Sequence, residues 1–375
     1  MRRPERWRTL DGVRAIAILL VIPHNADIYP ADPGSLWPLA MIASLGWIGV
    51  QLFFVLSGFL ITGQLLDATG SPHYFRDFYL RRALRILPLY YLTLVVGLIL
   101  LPALSSAPSL ASSEHTGQVW LWLFLINWVQ PFGQTIHGFE HFWSLAVEEQ
   151  YYLAWPFVVL VYRESGLLRA CFAAVALAVV TRTALLLSGT PHEANYMFTV
   201  CRMDALALGA IAALLVRRPA TAERIADRGN LVLLLAAAGL GLLALATHVY
   251  STSDPLMQIL GYSLLAVGFA AGILVLAARE QTERGTWLEG LLAIAPLRAV
   301  GRYSYAMYVF HLPLVIALTP AIRRWFAGTG QALPLIVALL VGIATFVAGA
   351  ISYHVFEKHL LALKTRVAPR VAYRS

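Results

Sequence analysis

Apolar runs of about twenty residues recur from one end of this chain to the other, and they limit its possible folds more than any other feature. With 59% hydrophobic residues, 13% charged residues and a mean hydropathy of +0.69, an ordinary soluble domain is excluded. We therefore predict an all-α, polytopic membrane helix bundle of about ten transmembrane helices. The candidate spans are 11–30, 40–66, 84–104, 143–162, 167–188, 200–216, 230–249, 256–278, 302–321 and 332–356.

A weaker apolar stretch at 117–130 decides the predicted topology. Clusters of Lys and Arg between the spans should face the cytoplasm, and they alternate consistently only if this stretch does not cross. We expect it to be re-entrant or interfacial, with both termini cytoplasmic. Arg323 and Arg324 are an exception, because this topology places them outside.

We expect one domain over 1–375, with a core at 10–356, a short basic cytoplasmic tail at 357–375 and no appended soluble domain. The basic start is similar to a signal peptide. However, Arg14, His24 and the missing cleavage site favour a retained first helix.

The net charge of +8 comes from basic clusters between apolar spans, which is typical of membrane topology rather than of nucleic-acid binding. No nucleic-acid partner is therefore expected. The two cysteines, Cys171 and Cys201, lie in or beside apolar segments and offer neither a disulfide framework nor metal-ligand spacing. No metal is expected.

Arg14 and His24 lie inside the first apolar segment, where an ionisable residue is costly and indicates a site. Along a helix they would be about 15 Å apart. His24 is a candidate general base for a sugar hydroxyl, because imidazole titrates near neutrality. Asp27, three residues on, could orient the ring, and Pro23 should kink the helix.

Arg82 and Arg85 are three residues apart in a basic amphipathic run, so they should share one helix face. Two guanidinium groups in this arrangement suit phosphate. Contact with anionic lipid head groups explains these residues alone equally well.

Two further stretches place polar residues inside predicted spans. Phe53, Phe54, Ser57 and Gly58 form an aromatic and small-residue stretch that, taken alone, is more typical of close helix packing than of chemistry. The adjacent carboxylates Glu148 and Glu149 are expensive in lipid, so at least one should point inward.

Arg202 and Asp204 begin another span and are most simply interpreted as an interfacial ion pair. Tyr308 precedes the mid-span His311 by three residues. A packed core histidine and a site-lining histidine are both consistent with that placement.

The order of these motifs resembles the acyltransferase 3 family of integral membrane acyltransferases, from residue 10 to about 356. Any one motif is weak, but the ordered set is specific. The matching stretches are Leu10-Asp11-Gly12-Val13-Arg14-Ala15-Ile16-Ala17 with His24, Gly49-Val50-Gln51-Leu52-Phe53-Phe54-Val55-Leu56-Ser57-Gly58, Arg82-Ala83-Leu84-Arg85, Phe142-Trp143-Ser144-Leu145-Ala146-Val147-Glu148-Glu149-Gln150, Arg202-Met203-Asp204-Ala205 and Gly301-Arg302-Tyr303-Ser304-Tyr305.

The resemblance implies transfer of an acyl group, usually acetyl from cytoplasmic acetyl-CoA, to a hydroxyl of a cell-surface or lipid-linked glycan at a bacterial inner membrane. It implies that His24 is the catalytic histidine with Arg14 as partner, and that Arg82 and Arg85 contact the CoA phosphates. Phe53, Phe54, Ser57 and Gly58 would line the acyl path. We add Glu148 and Glu149 as catalytic candidates, and Asp27, Arg202, Asp204, Tyr308 and His311 as acceptor-site candidates.

Two positions depart from the family pattern. Pro23 stands where many relatives carry an aromatic or aliphatic residue, and it could alter the reach of His24. Gln51 stands at a commonly acidic position, so the role of that position is not carried over.

Several alternatives remain open at the level of sequence. A proton-coupled transporter would use the same buried residues as a relay, but it predicts broken helices in two related halves, and none is visible. Another acyltransferase class would centre on His311 and make His24 replaceable. Direct transfer with His24 as base and an acyl-histidine intermediate are both possible, and the identity of the acceptor is undecided.

Overall fold

The computed structural model describes residues 7–26, 37–104, 115–162, 164–247 and 251–367. All regular elements in these ranges are helical. The first half contains α1 (Arg8–Asn25), α2 (Trp37–Ser44), α3 (Ile48–Ala68), α4 (Tyr74–Val95), α5 (Leu101–Leu104), α6 (His115–Trp122), α7 (Ile126–Val129), α8 (Phe142–Val161) and α9 (Glu164–Leu187). The second half contains α10 (His192–Met197), α11 (Thr199–Val216), α12 (Pro219–Asp227), α13 (Gly229–Ala246), α14 (Tyr262–Gln281), α15 (Trp287–Leu292), α16 (Ala295–Trp325), α17 (Leu333–Ser352) and α18 (Lys358–Val367).

The long helices confirm the predicted all-α polytopic bundle. Within the described ranges, eight helical stretches are long and apolar enough to cross a membrane. Helices α1 and α8 occupy two more of the predicted spans but are not among these eight, and both carry ionisable residues. The total of ten crossings stays a prediction.

The weak apolar stretch folds into pieces too short to cross a bilayer. Helix α6 has 8 residues and α7 has 4, followed by a 3-10 turn at Gln130–Phe132. Eight residues extend only about 12 Å along a helix, less than half the hydrocarbon thickness. This agrees with the expectation that the stretch does not cross.

Two helix boundaries differ from the predicted spans. Helix α1 ends at Asn25, two residues after Pro23, so it is shorter than the predicted 11–30, and Asp27 lies outside the described residues. Helix α4 begins at Tyr74, ten residues before the predicted start at 84. Hydropathy missed this first part because its arginines lower the average, although two of them, Arg82 and Arg85, line an internal cavity.

Helices α3 and α11 form the centre of the bundle, and each is mostly buried. Their backbones approach closely because each places a glycine at the contact. A Cβ on Gly58 would collide with the carbonyl of Leu206, and one on Gly209 with the carbonyl of Val55. Helix α1 packs against α16, whereas α13 lies at the periphery.

The ends of the bundle that were predicted to be cytoplasmic lie together. The backbone N–H groups of Arg8 and Thr9 donate to the carboxylate of Glu280 at the end of α14. Nearby, Arg279 pairs with Glu289 at 3.3 Å. Burial acts to raise the pKa of Glu289, but hydrogen bonds from Thr286 and Arg279 hold it below its ordinary value.

Candidate active site

A cavity opens between α1, α3, α4, α8 and α16, with an empty volume of about 830 Å³ that includes space open to solvent. Its wall contains nine residues that the sequence singled out, although they are scattered over the chain. These are Arg14, Phe53, Phe54, Ser57, Arg82, Arg85, Glu148, Glu149 and Tyr308.

The basic part of the wall carries three guanidinium groups. Arg14 pairs with Asp11 of its own helix at 3.1 Å. Arg82 donates to Gln64 at 2.6 Å, but its Nε is buried without a hydrogen-bond partner. Because the wall contains three arginines and only two glutamates, an anionic ligand would be attracted to it.

The acidic part of the wall joins Glu148 to two hydroxyl groups. Ser57 donates to Oε1 of Glu148 at 2.5 Å, and Tyr152 donates to Oε2 at 3.0 Å. The Tyr152 hydroxyl also lies 3.1 Å from the Ser57 hydroxyl. Both predicted carboxylates face the cavity, and Oε1 of Glu149 is buried without a partner.

His24 is half-buried at the end of α1 and does not line the cavity. Its Nδ1 is 3.1 Å from the carbonyl oxygen of Ala43, so this nitrogen carries the proton when the ring is neutral.

His311 is fully buried beside a second histidine, His141, which the sequence reading did not select. The two ring centroids are 4.5 Å apart. His311 Nδ1 bonds to the carbonyl of Tyr308 and His141 Nε2 to that of Val309, which leaves His311 Nε2 and His141 Nδ1 without partners. The remaining nitrogens are therefore hydrogen-bond acceptors.

Tyr308 and Ser144 connect this histidine pair to the cavity wall. Their hydroxyl oxygens are 2.5 Å apart, so one of them donates to the other, and both lie within hydrogen-bond distance of the carbonyl oxygen of His141. One sequence signal points to His141, which is its place directly before the motif that contains Glu148. It was not selected, because a histidine next to a loop is commonly a surface residue.

The interpretation of Arg202 and Asp204 as an interfacial ion pair is wrong. Both are fully buried, and Asp204 pairs instead with Arg182 of α9 at 2.8 Å. Arg202 donates to Gln51 and lies 4.4 Å from the ring centroid of Tyr262. Residues two apart on a helix do not face each other, so their partners come from other helices.

Within the described residues, four predicted site residues besides His24 do not line this cavity, namely Gly58, Arg202, Asp204 and His311. Arg202 and Asp204 lie in the buried cluster on α11, and Gly58 faces the backbone of that helix. Sequence reading missed Gln51, Arg182, Ser144 and Tyr152 as partners of these groups, because the contacts join distant parts of the chain.

A charged cavity enclosed by long apolar helices defines a polytopic membrane protein with an intramembrane polar site. A family model described as an acyltransferase domain matches residues 7–354. The chain belongs to this acyltransferase 3 family.

Curated relatives extend over nearly the whole of this chain. It is 30% identical over 364 residues to YrhL of Bacillus subtilis, named as a candidate peptidoglycan O-acetyltransferase, covering 93% of this chain and 54% of the relative. It is 26% identical over 378 residues to the peptidoglycan O-acetyltransferase OatA of Listeria monocytogenes, covering 95% and 57%. For the O-acetyltransferase OatA of Staphylococcus aureus, the identity is 25% over 374 residues, with the same two coverages.

The chain therefore spans about half the length of these relatives. No solved structure matches it.

Proposed function

We propose that this chain is a membrane O-acetyltransferase of a bacterial inner membrane, with both termini cytoplasmic. It moves an acetyl group from cytoplasmic acetyl-CoA to a hydroxyl of a cell-wall glycan. The observation that carries the proposal is the intramembrane cavity, because it combines three arginines, two carboxylates and an aromatic wall. The relatives named for peptidoglycan O-acetylation support a glycan acceptor.

Arg82 and Arg85 are the proposed contacts for the CoA phosphates. Within the described part of the chain neither forms an ion pair, so their charges can be offered to a ligand. Arg82 is only 8% exposed, and desolvated guanidinium groups bind phosphate more strongly than exposed ones. Phe53 and Phe54 would line the path of the acyl group.

The proposed acceptor side of the site contains His24 and the histidine pair next to Tyr308. His24 serves as the base that takes the hydroxyl proton, with Arg14 as its partner from the same helix. Tyr308, His311 and Asp27 would contact the acceptor. Because a neutral imidazole offers one nitrogen as a proton acceptor, the backbone bond that holds His24 Nδ1 supports this role.

The donor site is tested with purified full-length protein in lipid nanodiscs. Arg82→Gln and Arg85→Gln should each raise the Kd for acetyl-CoA by roughly tenfold or more, since a charged hydrogen bond contributes about 1.5–3 kcal/mol. Arg76→Gln is the matched control, because Arg76 lies on the same helix and is largely exposed. Equal affinity for acetyl-CoA in the parent and in all three variants would contradict the phosphate role.

The base is tested in the same preparation with His24→Ala. We expect transfer of acetyl to soluble peptidoglycan glycan fragments to be lost, with acetyl-CoA affinity and membrane insertion retained. Transfer at the parent rate would remove His24 from the mechanism.

A further inference from the structure

Ser57 lies near the middle of the membrane-spanning helix α3. It is nine residues from Ile48 and eleven from Ala68, or about 13 and 17 Å along the helix axis. Since the proposed function brings donor and acceptor from opposite sides, a group at this depth could hold the acyl chain between them. The inference that follows rests on that proposed function.

The hydroxyl of Ser57 is turned toward the cavity rather than toward its own helix. Hydroxyl residues in apolar helices commonly bond to the carbonyl four residues earlier, as Thr93 does to Leu89 at 2.8 Å. Ser57 instead donates to Glu148 at 2.5 Å, on a helix 91 residues further along the chain. Its side chain is partly exposed on the cavity wall, so a substrate could reach it.

The surroundings of Ser57 are those of an activated nucleophile. A carboxylate within hydrogen-bond reach can take the hydroxyl proton, and a third group should orient the pair. Tyr152 supplies that third group, because its hydroxyl lies 3.0 Å from Glu148 and 3.1 Å from Ser57. The guanidinium of Arg82 lies 5.7 Å from the centroid of the Tyr152 ring and can stabilise developing negative charge.

The other two serines on the cavity wall lack such a base. Ser144 shares its hydroxyl with Tyr308 and donates to the backbone of His141. Ser304 donates to the carbonyl of Gly301 on its own helix. Within the part of the chain that the structure describes, Ser57 is the serine on this wall that bonds to a carboxylate.

We propose that Ser57 carries the acyl group as an oxygen ester, with Glu148 as its base. The Ser57 oxygen attacks the thioester carbonyl of acyl-CoA, the carbon–oxygen bond forms, and the carbon–sulfur bond breaks. The serine proton passes to Glu148 and then to the sulfur, which leaves as the free thiol. In the second half, the acceptor hydroxyl attacks the ester carbonyl, and His24, the base of the proposed function, takes its proton. The bond between the carbonyl carbon and the Ser57 oxygen breaks, and the proton returns to that oxygen.

The proposal is tested by isolating the ester. Full-length protein in nanodiscs is incubated with isotope-labelled acetyl-CoA without acceptor, denatured in acid, digested and analysed by mass spectrometry. We expect one labelled acetyl ester, on the peptide that contains Ser57. Soluble peptidoglycan glycan fragments, added before denaturation, should remove the label from the protein and receive it.

Three variants separate the ester from binding and folding. Ser57→Ala should abolish the label and transfer while leaving the Kd for acetyl-CoA within about twofold of the parent, because only a hydroxyl is removed. Glu148→Gln should slow labelling by roughly 10²–10⁴-fold, the usual contribution of a general base. Thr62→Ala is the matched control, since Thr62 lies on the same helix but accepts a bond from Trp155, and it should keep the label.

The outcomes that overturn the proposal are distinct from failure of the proposed function. Label on another residue, or transfer at the parent rate by Ser57→Ala, rejects Ser57 as carrier. A parent that acetylates the glycan without any protein-bound ester shows direct transfer, which rejects the carrier and keeps the function. A parent that binds acetyl-CoA but neither labels nor acetylates contradicts the proposed function and the carrier together.

Discussion

Two fully buried arginines, Arg182 and Arg202, show how charged side chains find polar partners inside this bundle. Arg182 donates to Asp204 at 2.8 Å, to Ser263 at 2.7 Å and to backbone carbonyls. Arg202 has an amide partner, Gln51, and the faces of aromatic rings, while its Nε and one terminal nitrogen are without partners. The first charge is compensated by a carboxylate, whereas the second depends on weaker polar contacts.

We predict that Asp204→Asn lowers the free energy of unfolding by about 3–5 kcal/mol, the usual cost of removing one partner of a buried ion pair. The change leaves Arg182 charged and desolvated. Chemical unfolding in detergent micelles measures this. Asp227→Asn is the control, because Asp227 pairs with Arg284 on the exposed surface, and its loss should cost about 1 kcal/mol or less. Equal effects of the two substitutions would show that burial of the Arg182 and Asp204 pair does not raise the cost of breaking it.

At the scale of residues, the sequence singled out polar residues that the structure places on one cavity wall, but it did not identify their partners. Arg82, Arg85 and Glu148 could be selected because ionisable groups in apolar spans are costly. That Ser57 meets Glu148, 91 residues away, depends on how α3 and α8 pack, which spacing along one helix does not determine. His141 and Tyr152 were missed for the same reason.

Among the helices, the contact between α3 and α11 illustrates how elements set the position of the site. Gly58 and Gly209 let the two backbones approach, and the neighbouring Ser57 lies on the cavity wall. Small residues at such contacts are typical of membrane helices. Gly58, which the resemblance places on the acyl path, thus has a packing contact in the structure.

We predict that Gly58→Ala and Gly209→Ala each destabilise the protein by about 1–3 kcal/mol, because a methyl group would force the backbones apart. Gly239→Ala is the control, since a Cβ there meets no atom within 4 Å. Thermal unfolding in detergent compares the three. If Gly58→Ala proved as harmless as the control, close packing would not explain that glycine.

The helices themselves were largely predictable from hydropathy, because length and apolar content decide which segments cross. The early start of α4 was not, since two of its arginines, Arg82 and Arg85, line a protein cavity that hydropathy cannot register. The short helices α6 and α7 were anticipated only as a segment that does not cross. Their exact bounds depend on contacts such as the bond of Tyr90 to Leu121.

For the whole molecule, the structure divides the proposed site residues between one cavity and the helix ends beyond it. Arg82 and Arg85 share the cavity wall with the Ser57 and Glu148 pair, whereas His24 and His141 lie at helix ends outside that wall. The basic clusters predict the direction of the bundle in the membrane. That direction stays a prediction from sequence, and the structure adds that Arg82, Arg85, Ser57 and Glu148 share one cavity wall.

The central claim is that the chain passes an acetyl group from the side of its termini to an acceptor on the other side. Proteoliposomes with the protein in one orientation, labelled acetyl-CoA on the side of the termini and peptidoglycan glycan fragments on the opposite side test this most directly. We predict labelled ester on the fragments, lost in Ser57→Ala and His24→Ala. Label that appears only when donor and acceptor share one side would contradict transfer across the bundle.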